Sequence, residues 1–407
     1  MTGASAPPSR YRDALAIGEF RAIFVSQVIS TLGAVIVEIV LTVTVYDRSR
    51  SALLAALVLT LSFLPYLFTG VFGSSLIDRF PTRALLISCN LASAVTTALM
   101  AVPTIPVPGL LVLAFALGSI APVFAGARAA TLPEVLPAAA FAPGRSLLRI
   151  VAQGGQIVGF AVGGVLLAVM PPNSALLMTA GCFLGSAAVL RVGTRERPCG
   201  SMTRPRILRD SLAGLGSVLR TQPLGGILTL GWAVPFFAAA PEALLIPYAR
   251  QGGAGGIETG LLMAAMPTGF VLGEVLVIWY VAPGTQIRLI PLLSLLSLVS
   301  LLGYSQRPNL TAAAALLLLS GMGGAHHLGL DRLLVEAPSD LRARALNIQP
   351  SGLMFAQGVG FLTAGAVAES IPIHVVVAAS AGIGTIIVAI CLRNLGRSVP
   401  YFRFSKI

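Results

Sequence analysis

Twelve long apolar runs, parted by short stretches of charge, proline and glycine, are the first pattern along this 407-residue chain. A helix needs about 20 apolar residues to cross a bilayer. The runs fall at 21–46, 51–77, 84–102, 109–128, 146–170, 173–192, 223–248, 257–281, 287–304, 309–330, 343–368 and 371–392. The ninth is short, and His326-His327 interrupts the tenth. The segment 194–222 is the one long polar connection, and it divides six runs from six. The pattern therefore predicts an all-α membrane protein of 12 transmembrane helices. Its parts are a six-helix bundle at 1–193, a linker at 194–222 and a second six-helix bundle at 223–407.

The two halves repeat. Gln156-Ile-Val-Gly-Phe-Ala-Val-Gly-Gly164 in the fifth run matches Gln357-Gly-Val-Gly-Phe-Leu-Thr-Ala-Gly365 in the eleventh. Paired halves related by an axis along the membrane normal are a known transporter plan, with substrate held at their interface near mid-membrane.

Composition agrees with the pattern. Hydrophobic residues make up 56% and charged residues 10% of the chain, and the mean hydropathy is +0.89. A soluble protein carries about 25% charged residues. The net charge of +12 would suggest nucleic acid in a soluble chain, but here the basic residues gather in alternate loops. With the N-terminus inside, 23 of the 27 basic residues lie on the inner side, leaving Arg48, Arg50, Arg250 and Arg307 outside. That asymmetry sets both termini in the cytoplasm. It makes the protein a multi-pass protein of a bacterial inner membrane, with lipids and no nucleic acid as its surroundings. The count assigns Arg128, Arg145 and Arg149 to the loop after the fourth run. The first run is too long for a signal-peptide core, so it stays as a helix.

Between the second and third runs lies Gly73-Ser-Ser-Leu-Ile-Asp78-Arg79-Phe80-Pro81-Thr82-Arg83. It resembles the loop between helices 2 and 3 of the major facilitator superfamily, Gly-x-Leu-Ala-Asp-Arg-x-Gly-Arg-Arg. Asp78, Arg79 and Arg83 match, while Ser74, Pro81 and Thr82 depart from the pattern. The Asp-Arg-Phe-Pro form looks most like the branch of drug, siderophore and macrolide exporters, which work as proton antiporters. Arg342-Ala-Arg344 after Pro338-Ser-Asp-Leu is similar to that branch's loop 10–11. The resemblance runs from about Phe20 to Arg393. It implies two bundles that rock to expose a central cavity alternately, with Asp78, Arg79 and Arg83 as gating residues on the inner side.

Gly155, Gly159, Gly163 and Gly164 form a small-residue stripe on the fifth run. Such stripes let helix backbones approach closely. This one also resembles the family's antiporter signature, Gly-Pro-x-x-Gly-Gly, with Phe160 where proline is usual. Packing and an export-specific hinge both remain open for Gly159, Gly163 and Gly164. Gln27 and Gln153 are uncharged amides with cavity potential, and Phe124, Trp232, Phe236 and Phe237 belong to runs that line the cavity in this superfamily. These six are the candidate substrate contacts, weighed against ordinary packing. His326 and His327 point about 100° apart on a helix and so cannot share a metal as an i, i+4 pair does. Close to Asp331 and Arg332 at the inner end of the tenth run, they are expected at the interface, satisfied by water or headgroups.

Two carboxylates carry the sharpest expectation. Glu38 lies inside the first run and Glu242 inside the seventh, at equivalent places in the repeat. A lone acid in hydrocarbon is costly, so it is a functional candidate by default. Both are expected in the outer half of a central cavity, as the proton-coupling pair. Glu274 in the eighth run is a third acid, with a structural role equally open. No nucleophile–base pair, nucleotide loop or metal-ligand spacing appears, and Cys89, Cys182, Cys199 and Cys391 pair with nothing. The chain therefore reads as a monomeric transporter, without enzyme activity, cofactor or metal. The expected work is export of an amphipathic small molecule against inward proton flow. Proton-linked uptake, facilitated diffusion and a non-transporting membrane scaffold or sensor stand as alternatives.

Overall fold

The computed structural model describes residues 11–66, 80–196, 219, 221, 223–335 and 339–398. Every regular element among them is helical. Ten helices there are long and apolar enough to cross a membrane, and two shorter ones, Ala52–Phe63 and Ile290–Gln306, stand at the second and ninth places. We number the spans α1 (Gly18–Ser49), α2 (Ala52–Phe63), α3 (Thr82–Met100), α4 (Val107–Val135), α5 (Ala138–Val169) and α6 (Pro172–Gly193). The second set is α7 (Leu224–Gln251), α8 (Gly256–Tyr280), α9 (Ile290–Val299, ending in a 3-10 turn), α10 (Leu310–Val335), α11 (Ser339–Ala368) and α12 (Ile373–Ser398). Asp78 and Arg79 lie outside the described residues. The ends bearing the α1–α2, α7–α8 and α11–α12 turns are called outer here, following the arginine asymmetry.

Helices α1 and α7 stand at the centre. In their most apolar stretches 67% and 61% of residues are buried, against 22% in α4, which faces outward along most of its length. A helix wrapped by protein on all sides has to satisfy its own polar groups. Thr42 and Thr44 do so by donating to the carbonyls of Glu38 and Val40, one turn back, at 2.6 and 2.7 Å. In α7 the problem is proline. Pro241 has no N–H, so the carbonyl of Phe237 four residues earlier loses its helical donor. Ser380 of α12 supplies one, its hydroxyl donating to that carbonyl at 3.0 Å.

The repeat seen in the sequence maps onto the two seams between the halves. Helix α5 runs along α8, and α11 runs along α2. A methyl group built on Gly164 would stand 2.7 Å from the carbonyl oxygen of Gly256 and from Cα of Gly260. The matching Gly365 faces Ala56 and Leu53 of α2. Phe160 is buried beside the first seam, and its counterpart Phe361 meets Phe63 edge-on at 5.3 Å in the second. Gly155, Gly159 and Gly163 turn instead toward Thr31, Val35 and Ile39 of α1, where added methyls would lie 2.7, 2.7 and 2.5 Å away. The stripe is thus a packing surface on two sides, joining α5 to α1 and, through Gly164, to α8.

Two boundaries differ from the apolar pattern. Helix α4 continues to Val135 and α5 begins at Ala138, so Arg128, Arg145 and Arg149 sit within helices rather than in a loop. Helix α10 breaks between its parts Leu310–Gly323 and His326–Val335. An added methyl on Gly323 would lie 2.6 Å from the Leu293 carbonyl of α9, so close packing and the break occur together.

Gly164→Leu should destabilise the protein by about 1–3 kcal/mol, the usual cost of overpacking a tight core. Gly181, around which nothing lies within 4 Å, should accept alanine without loss. Thermal unfolding of the two variants in detergent checks both, and equal midpoints would remove the seam's special status.

Candidate functional site

A cavity of about 400 Å³ lies between the halves. Its length is bounded by Glu242 and Leu245 toward the outer end and by Arg149 and Asp331 toward the inner. Apolar walls come from Phe63, Val234, Met263, Met266, Phe270 and Met354. Between them sit the amides of Gln153, Gln156, Gln349 and Gln357 and the rings of His326 and His327. A larger hollow of about 760 Å³ opens around Tyr248, Arg307, Asn309 and His374, but it lies at the outer surface, away from the acids.

The outer end of the cavity is closed by ties across the halves. Asp47 at the end of α1 meets Arg250 at the end of α7 at 2.9 Å. Glu369, just past α11, accepts from the Ser51 hydroxyl at 2.7 Å and from the Leu53 N–H at 2.9 Å. It thereby caps the first turn of α2, where unpaired N–H groups and the helix dipole both favour an anion. Helix α1 ends at Arg50 with φ 55, the left-handed turn that lets α2 begin two residues later. Behind these ties, Tyr248 donates to the Pro308 carbonyl and its ring lies 5.4 Å from that of Tyr304.

Glu38 and Glu242 come from the two central helices and lie close enough to repel each other when both are ionised. Gln357 of α11 donates to Glu242 Oε2 at 3.4 Å. The Tyr66 hydroxyl lies within the fields of both Glu38 and Arg128. Arg128 is the larger surprise. It projects inside the first half, donates to Gln27 Oε1 and stacks over Phe124 at 5.9 Å. Gln27 in turn donates to Thr31 at 2.6 Å. Gln27 and Phe124 are thus fixed within their own half.

Of the expected substrate contacts, Gln153 lines the cavity. Trp232 donates through Nε1 to the Gln349 carbonyl at 3.1 Å and packs on Gly352. Phe236 and Phe237 meet edge-on at 4.8 Å, the former beside Gly360 of α11 and the latter beside Gly384 of α12. These three aromatics bind α7 to its neighbours. Arg83 joins the start of α3 to the end of α6, donating to the Arg191 carbonyl at 2.5 Å and lying 3.9 Å from Glu196.

Two features escaped the sequence reading. Arg149 reaches from α5 to Glu274 of α8 at 3.4 Å, with Asp331 of α10 within its field. Its signal was the helical spacing of Arg149, Gln153 and Gln156, three polar residues at intervals of four and three on one face. His326, expected at an interface, is 1% exposed and stacked on His327 at 4.2 Å. The break at Gly323-Gly324 brings the pair inward, and Gly-interrupted segments are a pointer to transporter sites.

The sequence matches a family described as transmembrane secretion effectors over residues 12–399. No curated protein matches the chain. Among solved structures it is similar to a bacterial homologue of the human lysosomal transporter Spinster in an inward-facing, occupied conformation. That match has a TM-score of 0.70 and 13% identity, and covers 99% of this chain and 100% of the other. A D-xylose–proton symporter matches with TM-score 0.68, 15% identity and coverage of 97% and 100%. A POT family transporter in complex with 5-aminolevulinic acid matches with TM-score 0.74, 10% identity and coverage of 93% and 96%. At such identities the likeness fixes the fold, which is the major facilitator fold, a membrane-transporter architecture.

Donation from the Leu53 N–H and the Ser51 hydroxyl holds the Glu369 carboxyl below its ordinary value of 4.5. A depressed carboxyl strengthens its contact fully above the unperturbed value and loses it as pH falls through the lowered one. The contribution of this tie should therefore be complete above pH 4.5 and be lost only below it. Spin-label distances between the outer ends of α2 and α11 should broaden in acid, and Glu369→Ala should show that broadening already at neutral pH.

Proposed function

The chain belongs to the transmembrane secretion effector family, and we propose that it exports an amphipathic small cation by proton antiport. Drugs, siderophores and secondary metabolites are the substrate types. The observation that carries this reading is the pair Glu38 and Glu242 on the two central helices, each close enough to feel the other's charge, with Glu242 at the closed end of the cavity. Two acids that repel cannot both remain charged cheaply in a dry site, so protons or a cation must share them. From the inner side, substrate seats its apolar body against Met263, Met266 and Phe270 and its charge against Glu242. The halves 1–193 and 223–407 then rock about the α5–α8 and α2–α11 seams, with 194–222 linking them. Opening the outer end lets protons reach Glu38 and Glu242, their charge is cancelled and the cation leaves. Return carries the protons inward.

In this reading the protein lies in a bacterial inner membrane with both termini cytoplasmic and works as a monomer among lipids. Asp78 and Arg79, with Arg83, close the inner end when the outer end opens. Gly159 and Gly163 keep α5 close enough to α1 to move as one body with its own half, and Gly164 lets it pivot on α8 of the other half.

Protein in liposomes with an imposed pH gradient tests the coupling. Wild type should concentrate a cationic amphiphile, while Glu38→Gln should fall to passive equilibration and retain exchange of labelled for unlabelled substrate. Glu242→Gln, which also removes the cation's counter-charge, should lose concentrative transport and weaken that exchange. Concentrative transport by both variants would show that the coupling lies elsewhere.

A further inference from the structure

We propose that the inner part of the cavity is a subsite for N–H donors, so that the preferred cation is a primary ammonium or guanidinium and not a quaternary one. This rests on the cationic-substrate reading above and narrows it. His326 is the centre of the argument. Its Nδ1 lies 3.0 Å from the Gly323 carbonyl oxygen, which can only accept, so Nδ1 carries the proton of that bond. In the neutral ring this leaves Nε2 as a lone-pair acceptor. That atom is buried without a hydrogen-bond partner in the structure, on a residue 1% exposed that lines the cavity.

A second such acceptor lines the same cavity from α11. Gln349 is 7% exposed, and its Oε1 is buried without a partner. Its backbone carbonyl is already taken by Trp232, which fixes the position of the residue. The carboxylate of Asp331, one turn and a residue beyond His326, lines the cavity as well. A buried acceptor left unmade forfeits its full desolvation cost, so native structures rarely tolerate two in one cavity without something to fill them.

Every one of these groups accepts, which decides the chemistry of the occupant. An anion would bring more acceptors against Nε2, Oε1 and a carboxylate. A quaternary ammonium would satisfy charge but present no N–H. A primary ammonium brings three donors and a guanidinium five, enough to reach acceptors on α10 and α11 together. Arg149 is the cation nearest these groups by its field on Asp331 and His327, and it is engaged with Glu274 at 3.4 Å. The flanking methionines and Phe270 suit the apolar remainder, since flexible thioethers fit varied shapes.

The test uses full-length protein in nanodiscs and a fluorescent pair, dansylcadaverine and its N,N,N-trimethyl derivative, which share one body and one charge. Wild type should bind the primary ammonium about tenfold or more tighter than the trimethyl form, the scale of a lost charge-assisted hydrogen bond. His326→Phe and Gln349→Leu should each reduce that preference to about threefold or less, chiefly by weakening the primary ammonium. His326→Asn, which keeps an acceptor, should retain more of the preference. Thermal midpoints identify any variant that does not fold, and the wild-type comparison stands without them. Equal affinity for the two probes in wild type overturns the subsite and leaves the cationic reading intact. Binding of neither probe, with tight binding of the anionic parent dansyl acid, overturns both.

Discussion

Backbone meets backbone where Gly164 of α5 lies against Gly256 and Gly260 of α8, and the rest of the molecule depends on that proximity. In lipid the hydrophobic effect gives two apolar helices no reason to associate, so close van der Waals contact has to do so. Glycine lets the axes approach until carbonyl and Cα atoms touch, and a methyl on any of the three would stand 2.6–2.7 Å from a neighbour's backbone. The equivalent seam, Gly365 of α11 on Ala56 and Leu53 of α2, repeats the arrangement. These seams bring α1 against α7 at the outer end. Only then can Asp47 reach Arg250, Glu369 reach the start of α2, and Glu38 feel the charge of Glu242.

Much of this was legible in the residues. Runs of apolar residues mark spans because nothing else crosses hydrocarbon, and the repeat of Gln156–Gly164 in Gln357–Gly365 pointed at the elements that form the seams. Glu38 and Glu242 stood out because acids in such runs are rare. What could not be read follows from the same rule. Ending a span at the first arginine cut α4 at 128 and placed Arg128 and Arg149 in a loop. An arginine can stay within a helix when a partner from another helix meets it, and Gln27 and Glu274 do so here. Those partners are distant in sequence, as is Ser380, which relieves the carbonyl that Pro241 strands. His326 looked interfacial because a break in an apolar run resembles its end. Asp78 and Arg79, the residues that first suggested the family, lie outside the described residues.

The ties at the outer end differ in strength. Asp47 and Arg250 keep 40% and 28% of their side chains exposed, a setting in which ion pairs contribute about 0–1 kcal/mol. Glu369 is exposed as well. At the inner end, Arg149 holds Glu274 at 3.4 Å with 64% of its own side chain open. None of these can hold two six-helix bodies closed alone. The seams keep the halves in contact, because losing them means parting two rows of backbone contacts at once. The charges are better understood as trims on an equilibrium set by packing. A contribution of that size changes a two-state population severalfold and leaves both states within reach.

The same contrast separates the two halves of the cavity. On the α1–α4 side one cluster is satisfied within itself, with Arg128 on Gln27, Gln27 on Thr31, and Phe124 beneath the guanidinium. Such a closed network rigidifies its half and offers a ligand little. On the α10–α11 side Nε2 of His326 and Oε1 of Gln349 are buried acceptors that no neighbour completes. Two pseudo-symmetric bundles therefore share a backbone plan but divide the work. Of these two clusters, the one in the first half spends its polar groups on its own order, and the one in the second half keeps acceptors unpaired. The unpaired acceptor Nε2 falls at the break in α10, where the Gly324 N–H takes the Gly321 carbonyl and His326 Nδ1 takes that of Gly323, so the ring is held by its other nitrogen.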